Sequence, residues 1–528
     1  MKKKMTIYGL LLLFAMLHTT VAYAQDASLF NQQHPLHEVR AVWLATIGGI
    51  DWPRTKATDN ASTELQKQEL TQILDRLQKA NINMVLLQTR VRGTTIYPSD
   101  IEPWDDCMTG KFGRDPGYDP LRFAIDECHK RGMELHAWLV CIPLGTVQKQ
   151  RAYGRQSITK RHPELCKRVG SEVFMQPAQS GTADYIASIC KEIADRYDVD
   201  GISLDYIRYP EKTYRFTDRC TPNERRENIN RIVKRVHDMV KPLKPWVKLS
   251  SSPIGKFRDL SRYSSTGWNC YDAVWQDAQR WLHEGWQDML FPMMYFQGDH
   301  FYPFLFDWLE HRNGRPIAPG LGIYFLDPRE GRWKLNDVRA QIHTARNAGI
   351  GGICLYRSDF FTRNCKGIYQ TVCEEFFPYP ALPPRMIWTG DTTAPAAPTD
   401  LRYQEGRLSW KAPKSQRQLF YNLYGSNVYP VDVTCAENLL AVRITTTEIA
   451  LSGRATGKRY FAVCASDRFG NQSEAVQENV IISLQDSINA WNPCSRLGVN
   501  GKRVDDRMQL FKSSNAAKGK KKSRKRKR

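Results

Sequence analysis

From about residue 38 to 375 the apolar positions change period repeatedly along the chain. Short runs in which nearly every residue is apolar alternate with longer stretches whose apolar residues recur at helical spacing. The run at 39–45 comes first. The stretch at 62–80 follows, with Leu65, Leu70, Ile73, Leu74 and Leu77 on one side. The same alternation predicts further strands at 83–88, 134–140, 201–207, 247–251, 289–295, 317–324 and 352–356. Between them it predicts helices at 121–131, 183–197, 224–240, 275–284, 304–311 and 338–348. Near-continuous apolar strands separated by helices mark a parallel sheet covered on both faces. Eight such units fit an α/β fold of the (β/α)8 TIM-type barrel, with enlarged loops. An open doubly wound sheet is the alternative. No GxGxxG follows any strand, so a dinucleotide site has no support.

Beyond a Pro/Ala/Thr stretch at 391–399 the pattern changes to short alternating strands, predicted at 400–403, 407–410, 419–426, 441–446, 459–467 and 476–482. Strands at such spacing form a small all-β sandwich. Ala397 to Leu401, Trp410, Tyr460 to Asp467 and Gly470 to Glu474 give it a likeness to a fibronectin type III module. Trp410 and Tyr460 read as core residues, so the sandwich is expected to be a separable spacer or docking module. At the other end, Lys2, Lys3 and Lys4 precede an apolar run at 7–17, too short for a comfortable membrane span. Ala22-Tyr23-Ala24 completes a signal-peptide pattern. The expected organisation is a signal peptide at 1–24, a catalytic barrel at 38–378, a linker at 379–391, a sandwich at 392–483, and a linker with a basic tail at 484–528. The mature protein is expected to be exported, in the periplasm or secreted, with no transmembrane segment.

Charge changes this picture little. The formal net charge is +21, but residues 518–528 alone carry nine Lys or Arg and no acid. Such a tail offers salt-dependent attraction to an anionic envelope polymer or lipid surface. In an exported protein, nucleic acid is not expected as a partner. The 13 cysteines are scattered, with no CxxC and no metal-type spacing. Mostly reduced, buried thiols are expected, with no metal site and no cofactor. No GxSxG occurs, which disfavours a serine hydrolase.

In a parallel barrel the chemistry lies where strands end and βα loops begin. The predicted strand ends supply, in order, Asp51 and Trp52; Gln88, Arg90 and Arg92; His136 and Trp138; Asp205, Tyr206, Arg208 and Tyr209; Tyr271, Asp272 and Asp277; Tyr295, Gln297 and Asp299; Tyr324; and Tyr356, Arg357 and Asp359. Carboxylates, arginines and many aromatic rings together suit a carbohydrate. Glycoside hydrolysis needs two carboxyl groups on either side of the scissile bond. Asp205 is the first candidate, since Arg208 or Arg90 beside it would keep it ionised as a nucleophile or base. Asp277 is the first candidate for the acid, with Asp51, Asp299 and Asp359 behind it. His136 fits a core histidine as well as a substrate contact. Arg90 and Arg92 could equally pin loops.

Several stretches resemble the glycosyl hydrolase-like family 10 proteins of bacteria. They are Glu38-Val-Arg-Ala-Val-Trp-Leu-Ala45, Asp51-Trp-Pro53, Gln88-Thr-Arg-Val-Arg92, Tyr97 to Trp104, Tyr118 to Leu121, His129 to Trp138, Tyr197 to Gly201, Asp205-Tyr206, Arg208-Tyr-Pro210 and Phe291-Pro-Met-Met-Tyr295. The resemblance implies a (β/α)8 barrel, export, and glycosidase-type cleavage of a polysaccharide. One branch of the family acts on peptidoglycan glycan strands stripped of peptide. A non-catalytic glycan-binding protein of the envelope is the competing class. Where the family often has Asp-Asp-Tyr, this chain reads Leu204-Asp205-Tyr206. Where the family often has Pro-Gln-x-Tyr-Trp, it reads Pro292 to Phe296.

Overall fold

In the computed structural model, which describes residues 34–211 and 214–477, the eight expected strands pair into one parallel sheet. They are β1 (Val39–Leu44), β2 (Met84–Arg90), β3 (Glu134–Val140), β4 (Gly201–Asp205), β5 (Lys248–Ser252), β6 (Met289–Leu290), β7 (Gly320–Leu321) and β8 (Gly352–Leu355). Their order is β7-β8-β1-β2-β3-β4-β5-β6. Parallel bridges from Leu290 to Ile317 and from Met293 to Gly320 join the two outer strands and close the sheet. The (β/α)8 TIM-type barrel is therefore present. β6 and β7 are only two residues long, where seven and eight were expected. Pro292 and Pro319 fall in these segments and cannot donate to a ladder, so pairing continues as isolated bridges.

Strand periodicity decides what fills the barrel. In β1, Val39, Ala41 and Trp43 point inward and pack with Met84, Leu86, Trp138 and Phe291. Val42 and Leu44 point outward into the layer beneath the helices. The covering helices are α1 (Asn60–Lys79), α2 (Pro120–Lys130), α3 (Ser180–Arg196), α4 (Pro222–Val240), α5 (Ala278–His283), α6 (Tyr302–Glu310) and α7 (Leu335–Asn347). Their starts follow capping rules. Asp59 and Ser62 cap one another at α1, and Thr221, Pro222 and Glu224 set the first turn of α4.

One feature of the loops was not expected. Between β3 and α3, Pro143–Thr146, Cys166–Val169 and Glu172–Met175 form a three-stranded antiparallel sheet. Each strand has four residues, too few to reveal a period in sequence.

Two antiparallel sheets follow the barrel. One holds Thr399–Gln404, Arg407–Lys411 and Glu448–Ala450, and the other Leu439–Ile444, Phe420–Ser426 and Tyr460–Ser466. Leu401, Leu408, Trp410, Tyr421, Leu423 and Val463 lie between them. The short strand Glu448–Ala450 was not expected. Most of the strand predicted at 476–482, the signal peptide and the basic tail lie outside the described residues.

The sandwich packs on the N-terminal face of the barrel. Arg443 donates to Asp200 Oδ1 at 2.5 Å and to Glu134 Oε1 at 3.3 Å. Arg468 donates to Asp198 at 2.5 Å, and from the segment connecting the two domains Trp388 Nε1 donates to Asp288 Oδ1 at 2.8 Å. Glu134 opens β3, and Asp200 and Asp288 immediately precede β4 and β6. A buried arginine joined to two buried barrel carboxylates corrects the expectation of a separable spacer. The described cysteines are all free thiols. No described helix is long and apolar enough to cross a membrane.

Candidate active site

The barrel's C-terminal end gathers a carboxyl group and aromatic rings from five strands. Asp205 is the last residue of β4 and points inward by the alternation that also places Gly201 and Ser203 inside. Its Oδ2 accepts from Trp138 Nε1 of β3 at 2.9 Å. Its Oδ1 accepts from the backbone N–H of Tyr206 at 2.7 Å. Tyr206 has a positive φ of 48°, which turns the chain sharply just beyond the strand.

Burial dominates the electrostatics of Asp205. Loss of solvation pushes its pKa up to about 6, against the opposing pull of Arg208, the Tyr206 N–H and the Trp138 indole. Burial thus outweighs the pull of Arg208, which was expected to keep Asp205 ionised. Arg90, the other candidate, is engaged elsewhere. It is buried and forked onto Glu102 at 2.8 and 2.7 Å, and it also donates to the Val140 and Cys141 carbonyls. Its role is to clamp the β2 and β3 ends.

Three tyrosines complete the mouth. Tyr295 lies 5.2 Å from Tyr356 and 5.8 Å from Tyr324, centroid to centroid. The Asp205 charge raises the pKa of Tyr295 and of Tyr356, in each case after burial, the larger cause. Both phenols therefore lie within electrostatic reach of Asp205. The Asp51 charge acts on Tyr356 too. Asp51 accepts from the Ala45 N–H at 2.9 Å and pairs with Arg357. Arg208 pairs with Glu211 at 2.8 Å, and its guanidinium carbon sits 4.4 Å from the Tyr206 ring centroid and 5.8 Å from that of Trp268.

The remaining expected residues lie elsewhere. His136 is buried deeper in the barrel, 3.2 Å from Glu134. A Cβ on Gly201 would stand 2.4 Å from its Nδ1, so the ring takes space that only glycine leaves. Trp52 is buried and donates to the Gln66 carbonyl at 2.8 Å. Tyr209 is buried, its hydroxyl 3.0 Å from Asn228 Nδ2. Gln88 braces the β1 loop through the backbone N–H groups of Thr46 and Ile47. Asp359 is tied to Arg54 and Arg363, and Gln297 to Asp337. Asp299 is exposed in a short helical turn. Asp277 precedes α5. Its pKa is raised by burial, with Arg280, Arg226 and Glu227 as its charged surroundings. Those groups belong to α4 and α5, and none of them acts on Asp205. Trp268 was missed, because it lies in a loop where no strand end marks it.

A closed parallel barrel with a buried carboxyl group and converging aromatic rings at its C-terminal mouth is the architecture of a barrel enzyme. The chain belongs to the family described as Glycosyl hydrolase-like 10, whose model matches residues 38–319. It is 28% identical over 484 residues to "Glycosyl hydrolase YngK" of Bacillus subtilis (strain 168), covering 83% of this chain and 92% of that protein. It is 33% identical over 292 residues to "Glycosyl hydrolase DigH" of Escherichia coli (strain K12), covering 50% of this chain and 66% of that protein. Among solved structures, the glycoside hydrolase domain of PgaB (BpsB) from Bordetella bronchiseptica aligns at a TM-score of 0.43 and 15% identity. That alignment covers 64% of this chain and 98% of that one. The protein is a glycoside hydrolase.

Proposed function

We propose that this glycoside hydrolase is exported and cuts O-glycosidic bonds within a polysaccharide, with peptidoglycan glycan strands as the first substrate to test. The carrying observation is the buried carboxyl of Asp205 at the end of β4, held by Trp138 and within electrostatic reach of Tyr295 and Tyr356. A carboxyl whose pKa lies near 6 exchanges a proton close to working pH, as a general acid must. Asp205 is therefore assigned to protonate the leaving oxygen, and the tyrosine faces to bind the sugar ring. For the second carboxyl group, Asp51 is favoured over Asp277 because it shares Tyr356 with Asp205. Trp138, Tyr206, Arg208, Tyr324 and Arg92 line the approach. The sandwich, read as a fibronectin type III-like module, holds the barrel from below. The basic tail adds attraction to an anionic envelope surface.

The test is reducing-end release by the full chain from a glycan panel that includes amidase-treated peptidoglycan, with Asp205→Asn as the control. Release by the wild type and not by the variant supports the assignment. Binding without release from any glycan would replace it with the non-catalytic reading. Asp51→Asn and Asp277→Asn, compared after a folding check, identify the partner. If Asp277→Asn loses more turnover than Asp51→Asn, the sequence-based choice stands.

A further inference from the structure

The loop that follows Asp205 borders a hollow of about 110 Å³, walled in part by Arg92, Tyr206, Arg208, Glu172, Glu211 and Tyr214. That is room for roughly four waters at ~30 Å³ each, enough for a substituent and too little for a hexose ring. Arg208 is only 5% exposed. Its Nη2 is engaged by Glu211, while its Nε and Nη1 have no hydrogen-bond partner. A buried guanidinium with idle donors is costly unless something accepts from them. Arg92 is half-buried, with no ion pair or hydrogen bond among the described residues, and its charge acts on Tyr206. Nε and Nη1 lie on different edges of the planar guanidinium, so each can donate one hydrogen bond to an oxygen of an incoming carboxylate.

Building on the glycosidase reading, we propose that this hollow is an anionic subsite in which Arg208 and Arg92 hold a carboxylate carried by the substrate sugar next to the scissile bond. Two negative groups in the wall set its terms. Glu211 is already spent on Nη2, and Glu172 is partly exposed and so screened by solvent. Asp205 is a counter-charge for Arg208 only while ionised. The proton-donating form of Asp205 leaves Arg208 with Glu211 alone, and an arriving carboxylate fills that deficit. Trp138 and the Tyr206 N–H contact Asp205, the charge of Arg208 and the phenols of Tyr295 and Tyr356 couple to it electrostatically, and the two carboxyls then favour each other's working states. The carboxylate could be a lactyl ether on a muramyl residue or the C6 acid of a uronate, and the two are separable by experiment.

The full chain is assayed on amidase-treated peptidoglycan and on a uronate-containing glycan. Each is compared with the same glycan after its carboxyls are reduced to alcohols. The expected result is that kcat/KM for one acidic glycan exceeds that for its reduced form by about tenfold or more. Arg92→Gln and Arg208→Lys should shrink that ratio to within about threefold, mainly through KM. Arg92→Gln is the safer variant, since its partly exposed, unpaired side chain holds nothing in place. Whichever acidic glycan shows the ratio identifies the source. Equal rates on acidic and reduced glycans in the wild type would overturn the proposal. So would an equal loss on both forms in Arg92→Gln, which marks a structural arginine. If no glycan is cleaved, calorimetric titration of N-acetylmuramic acid, glucuronate and neutral N-acetylglucosamine into the protein separates the two claims. Acid-selective binding lost in Arg92→Gln keeps the subsite and rejects the hydrolase reading on these glycans. Absent acid selectivity rejects the subsite.

Discussion

Asp200 and Asp205 stand at opposite ends of the same strand, five residues apart, and both are buried. Burial pushes each carboxyl toward its neutral form. At Asp200 that push is overcome by Arg443, then His129 and Arg468, so its pKa falls well below 3.8. Its oxygens meet His129 Nε2 at 2.7 Å and the Leu135 N–H at 3.0 Å as well as Arg443. At Asp205 no cation among the described residues comes within ion-pair distance, and burial outweighs the pull of Arg208. One end of β4 is saturated with partners and fastens a second domain. The other accepts only from Trp138 and the Tyr206 N–H among the described residues, and it is the group proposed above as the proton donor. The same residue type beside the same strand thus has its pKa moved in opposite directions according to what surrounds it.

Asp205→Asn should break the upper end completely. Turnover is expected to fall by about 10³-fold or more, since a positioned acid supplies that order of acceleration. Folding should survive, as read by an unchanged circular dichroism spectrum and a melting shift of a few degrees. The neutral amide removes a buried charge, but its NH₂ must face either the Trp138 or the Tyr206 donor, which offsets the gain. Near-normal turnover would remove Asp205 from the mechanism. Loss of folding would place it with Asp200 as a structural group.

Arg443→Ala should break the lower end and spare the upper. Removing one member of a buried ion cluster typically costs about 3–5 kcal/mol. Retained contacts from His129 to Asp200 and from Lys248 to Glu134 place the expected loss near the bottom of that range. Turnover per folded molecule should stay within about twofold. The pH dependence carries the sign. A carboxyl with a lowered folded pKa contributes stability above its unfolded value of 3.8 and loses it as pH falls toward the folded value. The wild type's advantage in denaturant midpoint should therefore narrow on acidification below 4. Removing everything from Asp391 onward deletes Arg443 and Arg468 together and should destabilise the barrel further. An Arg443→Ala variant as stable as wild type would restore the separable-spacer reading.

The pH profile sharpens the contrast at intermediate size. With Asp205 as proton donor, kcat/KM should decline by up to tenfold per unit above about pH 6. A decline below pH 6 instead would make Asp205 the base or nucleophile that the sequence alone favoured. Linkage runs opposite to that at Asp200. A raised folded pKa means the folded state holds the proton more tightly, so this group's contribution to stability weakens as pH rises from 3.8 to about 6.

The two ends were unequally legible in the sequence. The barrel was readable because period changes between strand and helix are local, and Glu134–Val140 was predicted to the residue. Asp205 was readable because Arg208, two tyrosines and Pro210 interrupt an apolar run at once. The sign of its pKa shift was not, because desolvation depends on Trp138, Tyr295 and Tyr356 arriving from distant strands. Arg90 and Arg208 look alike in sequence. Only folding shows that Glu102 consumes one and leaves the other with idle donors. Arg443 was invisible for the same reason, since Glu134 and Asp200 lie 309 and 243 residues away from it.

The smallest expected effect tests the side-chain hydrogen bond from Trp138 to the Asp205 carboxyl. The Trp138 indole N–H favours the ionised form. Trp138→Phe removes that donor and keeps an aromatic ring in a position only 4% exposed. The apparent pKa of the alkaline limb should rise, by roughly half a unit, because one stabilising contact to the anion is lost while burial persists. The rate at the optimum should fall less than in Asp205→Asn by at least an order of magnitude. The measurement is the full pH profile of kcat/KM for the variant beside the wild type. An unmoved limb with a large rate loss would mean that the indole acts on the sugar rather than on Asp205. A limb moved downward would mean that the hydrogen bond stabilises the protonated acid, and the electrostatic difference between the two ends of β4 would need another cause.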